Sequence, residues 1–367
     1  MSIKKLILVA LIIFAAVVTG ILLIRVQDPG TDVTEKLTRV GLILNGSAED
    51  KSFCQTHYDA LNSLKDELNL EILVREYVPE DESCFDVIKE LVDREKCSVI
   101  VTASSGYGEE AVKAATKYPD VCFLNFMGNV KLNNLSSFAG RMYQVRYLSG
   151  IVAGMRTVTG EVGYVAAFPY SEVIRGLNAF TQGVRRVRPD AVVHVKYCDS
   201  WIDDEAAGAA AKALMDKYPV DVMAMHTNSL EPCREADGNG VWPVGYNMDN
   251  SELFPDTYLT SCVWKWESYY REQILDFLKG KFFGTLDWIG MEEGIVELSE
   301  LTDNVTTGTS GVVDDAKEYL KSRTFDVFYG PIYDNSGNLR VPVRESMSDD
   351  EMFNSFDWYV EGVVVEE

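Results

Sequence analysis

The sequence predicts an α/β protein with two similar lobes, and two observations lead to this prediction. Residues 39–108 run strand, loop, helix, strand, loop, helix, strand, and residues 161–230 repeat that order at the same spacing. Strands that alternate with helices of this length indicate parallel sheets. Ligands of such sheets bind outside the carboxyl ends of the strands. Two such lobes leave a cleft between them, so the sequence points to a small-molecule site.

Each element of the first lobe has its own signal. Apolar runs predict strands at 40–44, 71–77, 98–103 and 121–126. Leu61, Leu64 and Leu68 recur at helical spacing after the first strand, and Asp50 can cap that helix. Further helices are predicted at 85–93 and 110–118, the last ending before Pro119.

A helix near 147–157 leads into the second lobe. Strands are predicted there at 162–167, 191–197, 220–225, 242–246 and 257–263. Helices are predicted at 267–279 and 312–322, and the turn residues 334–337 predict a hairpin.

The N-terminus predicts a membrane anchor. Lys4 and Lys5 precede an apolar run from Leu6 to Ile24, which is about long enough to span a bilayer. The two lysines predict a cytoplasmic N-terminus and an extracytoplasmic body. Residues 1–25 are therefore an anchor, with a cleaved signal segment as the alternative, and 26–37 form a stalk. A lipoprotein would need a cysteine directly after the run, and the first cysteine is Cys54.

Charge and cysteines exclude some partners. The net charge is −23, which argues against nucleic acid and anionic lipid as partners. None of the seven cysteines has CxxC spacing, so zinc binding is not predicted. The cysteines are expected to be buried apolar residues, and a Cys84–Cys97 disulfide stays open.

Polar and aromatic residues stand at most strand ends and define the candidate site. They are Asn45, Ser105, Tyr107, Asn125, Trp201, His226, Asn228 and Asn247. Phe53 and Trp201 come from cleft-side loops of the two lobes and could hold a flat ring between them. The alternative is that Phe53 belongs to the core and Trp201 to the lobe surface.

Catalysis and cofactor binding have little support. No hydrolase, metalloprotease or nucleotide-binding motif of the strict kind occurs. The loop 106–111 meets a looser GxGxxA form, but two acids at the start of its helix would repel a phosphate. We predict no enzyme activity and no cofactor. A hydrolase that uses His226 is the disfavoured alternative.

Several segments resemble the basic membrane protein (BMP) family of ABC-transporter substrate-binding proteins, which take up purines and nucleosides. The resemblance covers roughly residues 38–366. It is carried by NGSAEDKSFCQTHYDAL, KYPDVCFLNFMG, RMYQVRYLSGIVAG, MHTNSLEP, VWKWESYY and FYGPIYDNSGNLRVP.

The resemblance implies a type I periplasmic binding protein fold, with two Rossmann-like lobes joined by a three-strand hinge. The first lobe would hold 38–145 with about 264–295, and the second 146–263 with about 296–367. Phe53 and Trp201 would stack on a purine from either side. Hydrogen bonds to its edges or to a ribose would come from Asn45, Asn125, His226, Asn228 and Asn247.

Five positions depart from the family pattern, and one of them is Met127, which stands where the base-binding branch shows a small polar residue. Nucleoside-binding members typically carry acids, which grip ribose, where this chain has Asn45 and Asn247. Asn125 replaces a histidine of the base-binding branch, and Trp264 falls at a lysine position. The ligand could therefore be a free base or another flat heterocycle as well as a nucleoside.

We thus expect a membrane-anchored extracytoplasmic protein that binds a purine base or nucleoside and delivers it to an ABC permease. The alternatives are a ligand sensor on the same anchor that signals through a partner, and binding of another small ligand.

Overall fold

A computed structural model describes residue 34 and residues 36–322 and 324–366. The predicted anchor, 1–25, lies outside the described residues, as does most of the predicted stalk, 26–37. Within the part that is described, no helix is both long and apolar enough to cross a bilayer.

The strands and helices follow the alternating order that the sequence predicts. The strands are β1 (Thr38–Ile43), β2 (Leu70–Arg75), β3 (Val99–Thr102), β4 (Cys122–Phe126), β5 (Leu135–Gly140), β6 (Glu161–Ala166), β7 (Val192–Tyr197), β8 (Val222–His226), β9 (Trp242–Asn247), β10 (Thr260–Trp264), β11 (Leu286–Ile289), β12 (Val296–Leu298), β13 (Ile332–Tyr333), β14 (Leu339–Val341) and β15 (Val363–Glu366). The helices are α1 (Phe53–Ser63), α2 (Ser83–Asp93), α3 (Gly108–Lys117), α4 (Met142–Arg156), α5 (Ser171–Val187), α6 (Asp204–Lys217), α7 (Glu231–Gly238), α8 (Glu267–Leu278), α9 (Thr309–Lys321) and α10 (Asp349–Asn354).

Two sheets form the cores of two lobes. The first sheet has the order β11-β5-β4-β3-β1-β2 and is parallel throughout. The second has the order β12-β10-β9-β8-β6-β7-β15, in which only β12 runs antiparallel among the described strands. The predicted α/β fold with two lobes is confirmed.

The chain passes between the two sheets three times. It leaves the first sheet after β5, returns to it after β10 and leaves it again after β11. Helix α8 follows the second passage and packs on α1 of the first lobe, where Tyr270 and His57 form a hydrogen bond of 2.5 Å. Each lobe is thus assembled from separate segments of the chain. The lobe boundaries given above stay predictions.

Most predicted elements are confirmed, with shifts of a few residues at their ends. The sequence analysis did not predict the strands β5, β11, β12 and β15 or the helix α7. The hairpin is confirmed as β13–β14: the Asp334 carboxylate accepts the N–H groups of Ser336 and Asn338 at 3.0 and 2.8 Å. All seven cysteines are free thiols, so the disulfide between Cys84 and Cys97 is not formed.

Helices α4 and α5 pack together at an unusually short distance because glycines line their contact. A Cβ atom on Gly150 would lie 2.0 Å from the carbonyl oxygen of Phe180. A Cβ atom on Gly183 would lie 2.0 Å from the carbonyl oxygen of Tyr147. Only residues without a Cβ atom permit this backbone approach.

Candidate functional site

A cavity of about 690 Å³ lies between the lobes, at the carboxyl ends of the strands. Its volume is within the range of small-molecule sites. Seven aromatic residues line it: Phe53, Tyr77, Phe126, Phe168, Tyr170, Trp201 and Tyr246. Three carboxylates also line it: Glu80, Glu172 and Asp199. None of the lysines and arginines that the structure describes does so.

The two lobes contribute opposite aromatic walls. In the first lobe, the rings of Phe53 and Phe126 lie with their centres 5.0 Å apart. In the second, Phe168 stacks on Tyr170 at 5.1 Å and lies 6.3 Å from Trp201. Because both walls face one cavity, a flat ligand can contact aromatic rings on two sides.

Backbone hydrogen bonds fix the position of each wall. Asp50 caps α1 as predicted, since its carboxylate accepts the N–H groups of Ser52, Cys54 and Gln55. This fixes Phe53, the first residue of α1. The Trp201 carbonyl accepts the Asn228 N–H and the Thr227 hydroxyl, both at 2.8 Å. These hydrogen bonds hold the backbone of Phe53 and Trp201 in place.

Asn45 lines the cavity but is engaged by the protein. Its amide Nδ2 donates to Glu80 Oε1 at 2.9 Å, and its Oδ1 accepts from the Cys54 thiol at 3.4 Å. The Ser104 hydroxyl donates to the same Glu80 oxygen. Gly106 permits this arrangement because a Cβ atom there would lie 2.6 Å from the Glu80 carboxyl carbon. The Glu80 carboxylate thus lies beside Asn45 at the cavity.

Asn247 forms a contact between the lobes. Its side chain is fully buried. The Nδ2 atom donates to Ser52 Oγ of the first lobe at 2.8 Å and to Asn228 Oδ1 at 2.9 Å. Its Oδ1 accepts the indole N–H of Trp264 at 2.9 Å. Asn250 adds a second bond across the lobes, to the carbonyl of Lys51 at 3.1 Å.

Replacing Asn247 with alanine is expected to lower the free energy of unfolding by about 1–3 kcal/mol, because Trp264 would keep a buried N–H without an acceptor. The backbone φ of 69° at this position also suits asparagine better than alanine. Urea unfolding measures the loss. Asn239→Ala is the matched control: Asn239 is exposed and its side chain makes one bond, to Glu235. A change within about 0.5 kcal/mol is expected for it. Equal losses of unfolding free energy in the two variants would contradict the role of Asn247 as a stabilising contact between the lobes.

Five predicted site residues lie outside the cavity, and one of them is Asn247, the contact between the lobes described above. Tyr107 is fully buried in the first lobe, where its hydroxyl donates to the carbonyl of Val78 at 2.6 Å. Asn125 is buried and accepts the Thr102 hydroxyl at 2.7 Å. Neither Trp264 nor His226 lines the cavity. Sheet pleating explains the placement of the strand residues Asn125, His226 and Trp264, because successive residues of a strand point to opposite faces of the sheet. Tyr107 instead lies in the short 3₁₀ turn between β3 and α3.

His226 lies behind the cavity wall. Its ring centre is 4.7 Å from that of Tyr246 and 6.1 Å from that of Trp201, both of which line the cavity. The Nδ1 atom pairs with the Tyr164 hydroxyl at 3.1 Å. Burial lowers the pKa of His226 well below its usual range, and Arg146 and Arg175 lower it further. The imidazole is therefore neutral at ordinary pH.

Glu172 and Asp199 are the two described carboxylates of the second lobe that line the cavity. Glu172 is the more buried of the two. Burial raises the pKa of its carboxyl group, while Arg175 and Arg146 partly counteract that rise. Both arginines are buried and donate to backbone carbonyls, of Met352 and Met225. The Arg146 guanidinium also lies 3.9 Å from the centre of the Tyr246 ring. No cluster that could hold a metal ion occurs in the described ranges.

The sequence analysis missed several residues of the cavity. Tyr77 and Glu80 follow β2, and Phe168, Tyr170 and Glu172 follow β6. The signal that could have found them is the strand-end rule itself, applied to these two strands. Asn45, Phe53, Ser105, Trp201 and Asn228, which were predicted, do come together at the cavity.

Residues 37–324 match the family model described as ABC transporter substrate-binding protein PnrA-like, Bmp. The chain belongs to this family. Its members are extracytoplasmic substrate-binding proteins and are in general not enzymes.

Two curated relatives extend the comparison beyond the PnrA-like family model. A purine-binding protein of Brucella abortus is 32% identical over 91% of this chain and 95% of its own. A Haloferax volcanii protein, named as the glucose-binding protein of an ABC transporter, is 33% identical over 72% of this chain and 65% of its own. The names of the two relatives thus give different ligands, a purine for one and glucose for the other.

A solved structure supports the fold. It is an ABC transporter solute-binding protein from Aeropyrum pernix, which has a TM-score of 0.69 and 17% identity. The match covers 86% of this chain and 95% of that one. The periplasmic-binding-protein-like fold is therefore confirmed for this PnrA-like chain.

Proposed function

We propose that this chain is the substrate-binding component of an ABC importer and binds a purine base or purine nucleoside between its lobes. The observation that carries the proposal is the pair of aromatic walls, with Phe53 on one lobe and Trp201 on the other, facing one cavity. The purine-binding relative supports the same ligand class.

The binding step is closure of the two lobes about their three connections. Ligand held between Phe53 and Trp201 favours the closed arrangement because it contacts both lobes. The bonds from Asn247 to Ser52 and from Asn250 to Lys51 join the lobes beside the site. An anchor at 1–25 would keep the protein at the membrane, next to its permease. Co-purification with a permease, rather than with a signalling protein, separates the importer from the sensor alternative.

The chain is further proposed to leave its ligand chemically unchanged. The sequence offers no set of nucleophile, base and orienting residue at the cleft. Incubation with adenosine, followed by chromatography, is expected to return adenosine without free adenine. Release of the base would overturn this part of the proposal.

A thermal-shift screen of the full-length chain tests the ligand class, since a ligand bound only by the folded state raises the melting temperature. We expect a rise with a purine base or nucleoside and none with amino acids.

Glucose is the second candidate, favoured by the Haloferax relative. A rise with glucose alone would overturn the purine proposal and support this candidate.

A further inference from the structure

We propose that the cleft prefers aminopurines to oxopurines and that Glu172 is the residue that determines this preference. The inference rests on the proposed function, because it divides purines into two classes by the group at the ring edge. Aminopurines, such as adenine, carry an exocyclic NH₂ group that donates hydrogen bonds. Oxopurines, such as hypoxanthine, carry a carbonyl oxygen that only accepts them.

The charges of the cavity lining are the first argument. Three carboxylates line it and, among the described residues, no lysine or arginine does. A carboxylate accepts hydrogen bonds and repels a carbonyl oxygen or a phosphate. The lining therefore favours ligands with N–H groups at their edges and disfavours phosphorylated nucleosides.

Of the three described carboxylates that line the cavity, Glu172 alone offers a free acceptor that is also partly shielded from water. Glu80 is exposed, and its Oε1 atom already accepts from the Asn45 amide and the Ser104 hydroxyl. Asp199 is exposed, so water weakens its interactions. Glu172 is partly buried and forms no hydrogen bond or salt bridge with the residues that the structure describes.

Burial raises the pKa of the Glu172 carboxyl group, and two buried arginines partly counteract that rise. The guanidinium groups of Arg175 and Arg146 are buried behind the wall and oppose the effect of burial on this carboxyl group. A partly buried carboxylate that accepts no hydrogen bond from the described residues gains most from a donor on the ligand. The amino group of an aminopurine is such a donor.

Calorimetric titration of the full-length chain with adenine and hypoxanthine tests the proposal. We expect the wild type to bind adenine roughly tenfold more tightly than hypoxanthine. Glu172→Gln is expected to reduce that ratio to near one, because a neutral amide can accept from NH₂ and donate to a carbonyl.

Glu205→Gln is the matched control, since Glu205 is exposed on α6 of the same lobe and does not line the cavity. It is expected to keep the wild-type ratio. If Glu172→Gln does not fold, the ratio of the affinities for adenine and hypoxanthine, measured in the wild type and in Glu172→Asp, still tests the proposal.

Equal affinity of the wild type for both bases, or an unchanged ratio in Glu172→Gln, would overturn this inference and leave the proposed function standing. Failure of every purine, with binding of glucose, would overturn the proposed function instead.

Discussion

Replacing Trp201 with alanine is expected to weaken binding of a purine ligand by roughly 5- to 150-fold. Stacking of a base on an aromatic side chain contributes about 1–3 kcal/mol, which corresponds to that range. Trp201 lines the cavity from the second lobe, opposite Phe53. Because its backbone carbonyl makes the hydrogen bonds of this loop, truncating the side chain leaves the loop anchored.

Titration calorimetry with the purine that gives the largest thermal shift measures the loss. Trp242→Ala is the control, because Trp242 begins β9 at the end remote from the cavity. The Arg156 guanidinium lies 3.6 Å from the centre of the Trp242 ring. The Trp242→Ala variant is expected to bind as the wild type does, although it is less stable. If both variants bind with wild-type affinity, the ligand does not stack on Trp201.

Replacing Gly150 with alanine is expected to destabilise the second lobe by about 3 kcal/mol, the upper part of the usual range for overpacking. The new Cβ atom would lie 2.0 Å from the Phe180 carbonyl oxygen and 3.0 Å from the Val184 backbone nitrogen. Both are backbone atoms, so no side chain can move aside. Helices α4 and α5 must separate to accept the methyl group.

Gly311→Ala makes the same change in another helix and serves as the control. Gly311 lies in α9 with nothing within 4 Å of its Cβ position. Alanine favours a helix over glycine by up to about 1 kcal/mol, so this variant is expected to be slightly stabilised. Urea unfolding of both variants compares them. A stability equal to wild type in Gly150→Ala would mean that the helices are not held this close together.

Most strands that alternate with helices were predictable from their apolar residues, whereas β5, β11 and β15 were not. β5 reads LSSFAG, and its two serines hide a strand signal. Ser137 Oγ donates to the Val130 carbonyl at 2.5 Å, which makes burial of its hydroxyl tolerable. β11 and β15 pair with β5 and β7, which stand about 150 or more residues earlier in the chain. Local sequence patterns do not indicate which distant strands will pair.

The candidate site was predicted in outline because parallel strands place their carboxyl ends along one edge. This rule brought together Asn45, Trp201 and Asn228. It could not tell which residue of a strand end faces the cleft, so Tyr107 and Asn125 lie in the core instead. The use of Asn247 as a contact between lobes also depends on tertiary distances that no single segment encodes.

The interleaved path of the chain sets the order in which the lobes can be completed during synthesis. The first sheet lacks its edge strand until Leu286–Ile289 has left the ribosome, after the strands β6–β10 of the second. The second sheet waits for Val363–Glu366. Nascent chains that stop earlier expose the unpaired edges of β5 and β7, and such edges invite association with other chains. Neither lobe can therefore be produced as a single excised stretch of the gene.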